Sequence, residues 1–126
     1  NAQCCLRIIH INDVYQLKNL PKLKTLIKEQ SKGYTNVIVT LAGDFIAPSL
    51  LSALDQGAGM IELLNHVGVT HVCFGNHESD VPYEALKFRI AEFRGVWINS
   101  NMPDFVPRLP EYDVISLKDE AGQSGA

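Results

Sequence analysis

Three short apolar runs, each ending in polar side chains, constrain the fold of this chain more than any other feature of its sequence. Each run is rich in β-branched residues and has the length of one buried strand. The runs and their polar ends are Leu6–Ile11 before Asn12–Tyr15, Asn36–Leu41 before Ala42–Phe45, and His71–Phe74 before Gly75–Asp80. Because helix-forming sequence separates the runs, the strands are predicted to lie parallel in one sheet, with their carboxyl ends at one edge.

The remaining segments complete an α/β prediction, a mostly parallel sheet with flanking helices. The predicted helices span about Pro21–Gln30, Ser49–Leu54, Met60–Val67 and Pro82–Phe93. The predicted inner stripes are Leu23, Leu26 and Ile27 in the first helix, and Leu86, Ile90 and Phe93 in the last.

The C-terminal quarter of the sequence predicts two more strands, Val96–Asn99 and Tyr112–Leu117. Residues 99–101 follow the fourth strand, so they either contact a substrate or only form a turn before Pro103. Lys118–Gly122 is interpreted as the turn of a hairpin whose second strand is absent, and residues 123–126 carry no structural signal.

The polar ends of the first three strands predict a shared site. Asp13, Asp44 and Asn76 each follow a strand, so the topology would bring them together. Buried carboxylates repel one another unless a cation joins them, and one carboxylate can bridge two divalent ions about 4 Å apart. A metal pair is therefore the economical interpretation. The alternative is that Gly75–Asp80 is only a strand-to-helix loop whose Asn and Asp cap the next helix.

In this order, His10–Asp13, Gly43–Asp44 and Gly75–Asp80 resemble the N-terminal part of a calcineurin-like metallophosphoesterase of the 5′-nucleotidase kind. The resemblance runs from about Leu6 to Asn101. It implies half of a four-layer αββα sandwich, with residues 1–126 as the N-terminal part of one domain whose second half is absent. Either that second half or another chain would then cover one face of the sheet.

The resemblance also implies a role for each residue at this edge. Asp13 would ligate the first of two divalent metal ions, Asp44 would bridge both and Asn76 would ligate the second. His77 would lie beside the phosphate and stabilise charge or protonate the leaving oxygen, while Asp80 would orient the His77 imidazole. The identity of the metals stays open among Zn, Mn, Fe, Mg and Ca.

Two departures from the family pattern bear on activity. The first family motif is Asp-x-His, whereas this chain has Asp13-Val14-Tyr15. A phenol, with an ordinary pKa of about 10, is a poor ligand for divalent ions at neutral pH, although a Tyr also occurs here in a 5′-nucleotidase-like subgroup. The Gly-His and Gly-His-x-His segments that supply further ligands in the family do not occur in these 126 residues.

Two functions of different classes follow from these observations. The first is a metal-dependent phosphoric monoester hydrolase that acts on a phosphorylated small molecule, a 5′-nucleotide above all, by a metal-bound hydroxide. It requires that the full-length chain supply the remaining His ligands. The alternative is a catalytically weak or inactive relative that serves as a structural or partner-binding module. A Rossmann-type nucleotide-binding domain is disfavoured, because no Gly-rich loop follows the first strand.

Composition excludes some partners and indicates a compartment. A net charge of −3 without a Lys/Arg cluster argues against a nucleic-acid surface, and no apolar run approaches the length of a membrane span. Three cysteines, with Cys73 in a predicted buried strand, favour a reducing and hence cytoplasmic compartment. An extracellular or periplasmic location stays open, because the sequence has no initiator Met and its true N-terminus could be missing.

Overall fold

Strands and helices alternate along the chain in this computed structural model, which describes residues 3–120 and the backbone of residues 124–125. The strands are β1 (Leu6–Ile11), β2 (Asn36–Ala42), β3 (His71–Cys73), β4 (Val96–Ile98), β5 (Leu117–Lys118) and β6 (Ser124–Gly125). The helices are α1 (Leu20–Gln30), α2 (Ser52–Asp55), α3 (Ala58–Val67) and α4 (Tyr83–Glu92), with 3-10 turns at Leu17–Asn19 and His77–Asp80. None of the helices in this part of the chain has the length and apolar character of a membrane span.

Strands β1 to β4 form one parallel sheet in the order β1-β2-β3-β4. β1 pairs with β2 along its whole length, from Leu6 opposite Asn36 to Ile11 opposite Leu41. β3 is shorter and pairs with the carboxyl-terminal part of β2 on one side and with β4 on the other. The predicted α/β fold with a parallel sheet is confirmed, and the parallel pairing extends to the fourth strand.

One face of the sheet is buried beneath helices, because alternate side chains of each strand point to the same side. The buried strand residues of this face are Val39, Leu41, Val72 and Trp97. Helix α3 supplies Ile61 and Leu64, which are 1% and 0% exposed, and it packs against both α1 and α4. The core therefore lies on the helical side, and the loops that follow the strands occupy the carboxyl edge.

The opposite face of the sheet carries polar side chains and stays partly exposed. The register aligns His10, Thr40 and His71 across three strands, and His10 Nδ1 lies 2.7 Å from Thr40 Oγ1. Ile8, on the same face, is 55% exposed. No helix of the described ranges packs on this side, so it is the face that the resemblance expects a further element to cover.

Residues 110–118 run extended from the end of β4 to the start of β2. The Asn99 N–H donates to the Pro110 carbonyl at 2.8 Å, and the Lys118 N–H donates to Asn36 Oδ1 at 2.7 Å. Between these two anchors, Asp113 Oδ2 lies 2.7 Å from His71 Nε2. The His71 side chain is therefore largely covered, with 14% of its surface exposed.

The predicted strand Tyr112–Leu117 is wrong for most of its length. Residues 112–116 are exposed and join no sheet, because no neighbouring strand pairs with them. Only Leu117–Lys118 pairs, and its partner is Ser124–Gly125 in an antiparallel ladder. The prediction that this second hairpin strand is absent is therefore also wrong. Residues 121–123, which include the end of the predicted turn Lys118–Gly122, lie outside the described residues.

Two helices differ from their predicted form. Helix α1 begins at Leu20, and its inner side chains are Leu20, Leu23 and Ile27, which the i, i+3, i+7 spacing places on one face. Leu26, which the prediction placed on that face, is 49% exposed. The predicted helix Ser49–Leu54 begins later, at Ser52, after a turn. The predicted inner stripe of α4 is confirmed, since all three of its residues are buried.

Candidate active site

The loops that follow β1 and β2 remain hydrogen-bonded to each other beyond the end of the sheet. The Asp13 N–H donates to the Gly43 carbonyl at 3.3 Å, and the Val14 N–H donates to the Asp44 carbonyl at 3.0 Å. The pairing of the two strands thus continues into their loops. It places Asp13 and Asp44 at the same carboxyl edge, where the sequence predicts them.

Both aspartates adopt a backbone conformation that L-residues rarely occupy. The φ angle is +56° at Asp13 and +58° at Asp44. This left-handed region costs an ordinary residue about 1–2 kcal/mol, and Asp tolerates it better than most because its short side chain can hydrogen-bond locally. Strained backbone of this kind concentrates at functional sites. The two strands therefore end in matching strained turns, each of which carries a carboxylate.

The loop after β3 contacts the loop after β2 because glycine occupies both contact positions. A Cβ on Gly43 would lie 2.6 Å from Gly75 Cα, and a Cβ on Gly75 would lie 2.6 Å from Asp44 Cγ. This close approach lets the His77 N–H donate to Asp44 Oδ1 at 2.8 Å. The three strand-end loops consequently meet at Asp44.

Tyr15 contacts Asp13, which precedes it by two residues in the loop after β1. Its hydroxyl donates to Asp13 Oδ1 at 2.8 Å, and the Asn12 amide donates to Asp13 Oδ2. These two hydrogen bonds lower the pKa of Asp13, and the bond to Asp13 raises the pKa of Tyr15 to about 12. At neutral pH an ionised carboxylate therefore lies beside a protonated phenol. The edge of the Tyr15 ring also contacts His77, with 5.9 Å between ring centroids.

His77 and Asp80 form the pair that the sequence predicts. Nδ1 of His77 lies 2.6 Å from Asp80 Oδ2 within the 3-10 turn that contains both residues. The hydrogen bond to Asp80 raises the pKa of His77, with smaller contributions from the charges of Asp80, Asp44 and Glu78. Because Nδ1 is used by Asp80, Nε2 is the ring nitrogen that remains for a substrate. The catalytic roles of the two residues stay predictions.

Asn76 directly precedes this 3-10 turn, and its side chain makes no capping hydrogen bond to it. The residue is exposed, and its backbone carbonyl accepts a hydrogen bond from the Ser79 hydroxyl at 2.8 Å. The alternative in which Asn76 only caps the following helix is therefore wrong. Its side-chain amide stays accessible at the same edge as Asp44. The next residue, His77, donates its backbone N–H to the Asp44 carboxylate.

Glu78 lies within the Gly75–Asp80 motif, but the sequence predicts no role for it. It is 1% exposed, and both of its carboxylate oxygens accept backbone N–H groups from the loops after β2 and β3. The signal that the sequence offers is its position, since it is an acidic residue in a strand-end loop. It is predicted neither as a metal ligand nor as the partner of a histidine. Its burial depends on tertiary contacts that no local pattern reveals.

The turn interpretation of residues 99–101 is supported over a substrate contact. Asn99 is 6% exposed. Its amide donates to the Met102 carbonyl at 2.8 Å, and its Oδ1 accepts from the Met102 N–H at 3.1 Å. Both ends of the side chain therefore stabilise the turn after β4.

The donors at this edge fit a divalent cation in part. Asp13, Asp44 and Asn76 offer carboxylate and amide oxygens, which hard divalent ions prefer, and the lowered pKa of Asp13 keeps it ionised. Within residues 3–120, however, no three His, Cys, Asp or Glu side chains are grouped as metal ligands would be. A complete coordination shell would therefore need donors in addition to these.

A groove of about 370 Å³ opens beside Tyr15. Its walls come from the loop after β1, the loop after β2 and the start of α3, and they are mostly apolar. The side chains include Leu17, Lys18, Pro48, Leu50 and Met60. Its volume is typical of small-molecule pockets, and its contact with Tyr15 places it next to Asp13.

Replacing Tyr15 with His is expected to tighten the binding of one metal equivalent in the full-length protein and to leave the other unchanged. The phenol, with a pKa of about 12, donates to Asp13 and is protonated at neutral pH, and a protonated phenol is a poor ligand for divalent ions. An imidazole in its place would supply a nitrogen donor. Calorimetric metal titration of both proteins measures the two affinities.

Tyr15→Phe is the matched control for this substitution. It removes the hydroxyl that donates to Asp13 but supplies no ligand. If Tyr15→Phe tightened binding as much as Tyr15→His, the gain would come from freeing Asp13. Identical two-site affinities in the wild-type and Tyr15→His proteins would mean that Tyr15 does not weaken a metal position at all.

Comparison with known proteins gives one family and several structural relatives. The family model described as calcineurin-like phosphoesterase matches residues 6–122. No curated protein matches the chain. The structure of the calcineurin-like phosphoesterase YfkN from Bacillus subtilis aligns with 95% of the chain at 17% identity and a TM-score of 0.74.

Two further solved structures share the fold. The Haemophilus influenzae NAD nucleotidase NadN aligns with 76% of the chain at 23% identity and a TM-score of 0.67. The Thermus thermophilus sulfate thiohydrolase SoxB, solved with glycerol, aligns with 72% at 26% identity and a TM-score of 0.62. The chain spans 45% of YfkN, 20% of NadN and 18% of SoxB. Since the family model covers residues 6–122, this chain belongs to the calcineurin-like phosphoesterase family, which is the family that the strand-end motifs predict.

Proposed function

We propose that this chain forms part of the active site of a metal-dependent phosphoric monoester hydrolase, with 5′-nucleotides as the favoured substrates. The observation that carries the proposal is the junction at Asp44. Its carbonyl accepts the Val14 N–H, its carboxylate accepts the His77 N–H and its own N–H donates to Glu78. Three loops of a phosphoesterase family member are thereby joined around one strained acidic residue.

Each residue of the site has a role in this proposal. Asp13, Asp44 and Asn76 would hold two divalent ions, and the second half of the domain would supply the remaining ligands. The bound ions would neutralise charge on the phosphate and activate water for attack. His77, oriented through Nδ1 by Asp80, would use its other nitrogen to stabilise charge or to protonate the leaving oxygen.

The substrate class rests on two observations. NadN, which shares the fold, is a NAD nucleotidase. The groove beside Tyr15 has the volume to hold the organic part of a small phosphate ester. SoxB, a sulfate thiohydrolase, shows that a similar fold occurs in a protein named for a different substrate group. Hydrolysis of a sulfur-containing substrate should therefore be compared with hydrolysis of phosphate esters.

Tyr15 favours a second candidate function, a catalytically weak or inactive relative that serves as a structural or partner-binding module. A protonated phenol stands where the family motif has a histidine, so one metal position lacks its usual nitrogen donor. The two functions differ in whether metal supports turnover.

The test is a hydrolysis assay of the full-length protein, stripped of metal and resupplied with Mn²⁺, Zn²⁺, Mg²⁺, Ca²⁺ or Fe²⁺. The substrate panel contains 5′-nucleotides, sugar phosphates, a phosphodiester and a sulfate ester. We expect metal-dependent release of phosphate from the 5′-nucleotides, and we expect Asp44→Asn to abolish it.

Asp113→Asn is the matched control, because it removes a carboxylate that contacts His71 on the opposite side of the sheet from the helices. It should retain the wild-type rate. Metal-dependent hydrolysis of the sulfate ester alone would overturn the substrate class. Absence of turnover with every metal and substrate, in a folded wild-type protein, would favour the non-catalytic module.

A further inference from the structure

Glu78 is a buried carboxylate whose place in the site is not explained by any role above. Its side chain is among the largest that are almost fully buried, and the residue is 1% exposed. An ionised carboxylate in such surroundings is costly unless it is paired or fully hydrogen-bonded. No ion pair found within residues 3–120 includes Glu78. Its charge must therefore be compensated by neutral donors.

Backbone N–H groups from two loops provide that compensation. Oε2 accepts the N–H groups of Asp44 at 2.9 Å and Gly75 at 2.5 Å. Oε1 accepts those of Phe45 at 2.9 Å and Ile46 at 3.2 Å. Hydrogen bonds to an ionised acceptor are about twice as strong as neutral ones, and successive N–H groups of this kind form an anion-binding nest.

The arrangement fastens the loop after β2 to the loop after β3. Asp44, which has φ of +58°, makes hydrogen bonds to three residues, and in one of them its N–H donates to Glu78. Gly75 directly precedes Asn76 and is bound by the same carboxylate oxygen as Asp44. One side chain thus sets the distance between two of the proposed metal donors.

We infer that Glu78 is a positioning residue, which holds Asp44 and Asn76 in the geometry that the metal-dependent reaction needs. The inference rests on the proposed function for the identity of the group that Asp44 and Asn76 bind. We expect Glu78 itself to contact neither substrate nor metal, because both of its oxygens already accept backbone N–H groups. Its effect passes through the backbone of the two loops.

The test is Glu78→Gln in the full-length protein, which keeps the shape of the side chain but directs an NH₂ group at backbone donors. We expect hydrogen exchange at the backbone amides of Asp44, Phe45, Ile46 and Gly75 to be at least about tenfold faster in the variant than in the wild-type protein. Exchange at other amides should change less. Affinity for Mn²⁺, measured by calorimetry below the unfolding temperature, is expected to fall about 10–100-fold, the effect typical of residues that orient metal ligands. The kcat should fall with it.

Leu64→Ala is the matched control for stability. Leu64 is 0% exposed in α3 and lies in the core, so its truncation destabilises the protein without removing any of the four hydrogen bonds to Glu78. A merely structural Glu78 would behave like Leu64, with lower stability but wild-type Mn²⁺ affinity in the folded protein. That result for Glu78→Gln would overturn the inference.

Glu78→Asp keeps the inference testable if Glu78→Gln does not fold. The shorter carboxylate can satisfy only some of the four N–H groups, so Mn²⁺ affinity should still fall and the same four amides should exchange faster. Wild-type affinity in this variant would overturn the inference. If the wild-type protein binds Mn²⁺ but hydrolyses nothing, and the Glu78 variants bind it more weakly, the inference is supported while the proposed function fails. Absence of Mn²⁺ binding to the folded wild-type protein would overturn both.

Discussion

Gly43→Ala is expected to destabilise the protein by about 2–5 kcal/mol, whereas Gly33→Ala should cost only about 1–2 kcal/mol. The two glycines have nearly the same backbone conformation, with φ of +78° and +79°. The strain of placing an L-residue there is therefore common to both variants. Their surroundings differ, because nothing lies within 4 Å of a Cβ on Gly33, whereas a Cβ on Gly43 would lie 2.6 Å from Gly75 Cα and 2.8 Å from the Phe74 carbonyl carbon.

Denaturant unfolding of the two variants and the wild-type protein measures this difference directly. The neighbours of Gly43 are backbone atoms, which cannot rotate away as a flexible side chain could. Gly43→Ala should therefore also displace the loop that carries His77 and lower metal affinity in the folded state. Equal destabilisation of both variants would show that backbone strain alone accounts for the glycine, and that the contact between the loops of β2 and β3 is adaptable.

The placement of Asp13 and Asp44 was predictable because it depends on local pattern and topology. A β-branched run predicts a strand, and intervening helices require parallel pairing, so the residues after the strands share an edge. The left-handed φ angles of both aspartates were not predictable, since glycine is the usual residue there and the conformation is imposed by the hydrogen bonds between the loops.

Glu78 and the extended segment after β4 show where pattern reasoning ends. Burial of Glu78 depends on four N–H groups that two separate loops bring together. Residues 112–116 include the strand-favouring residues Tyr112, Val114 and Ile115, but a strand also needs a partner. The segment instead contacts the sheet through the pair of Asp113 and His71. Both features are set by tertiary contacts, for which a single sequence carries no local signal.

Asp80→Asn is expected to lower kcat about 10–100-fold while metal content stays unchanged. Asp80 contacts Nδ1 of His77 at 2.6 Å and so orients the ring. Asn can still accept a hydrogen bond there, but it removes the negative charge that raises the pKa of His77. Steady-state kinetics with a 5′-nucleotide, together with metal analysis of the purified protein, measure the two quantities.

Glu62→Gln is the matched control, because Glu62 and His66 form another exposed histidine–carboxylate pair, at 3.0 Å in α3 and away from the strand-end loops. Exposed pairs of this kind contribute about 0–1 kcal/mol, so neither substitution should change folding stability much. A loss of turnover confined to Asp80→Asn would therefore reflect the orientation and charge of His77, not the loss of an ion pair in general. Loss of metal in Asp80→Asn would instead show that Asp80 acts on the metal site, because a change confined to the His77 ring would leave the binding of an ion by Asp13, Asp44 and Asn76 unchanged.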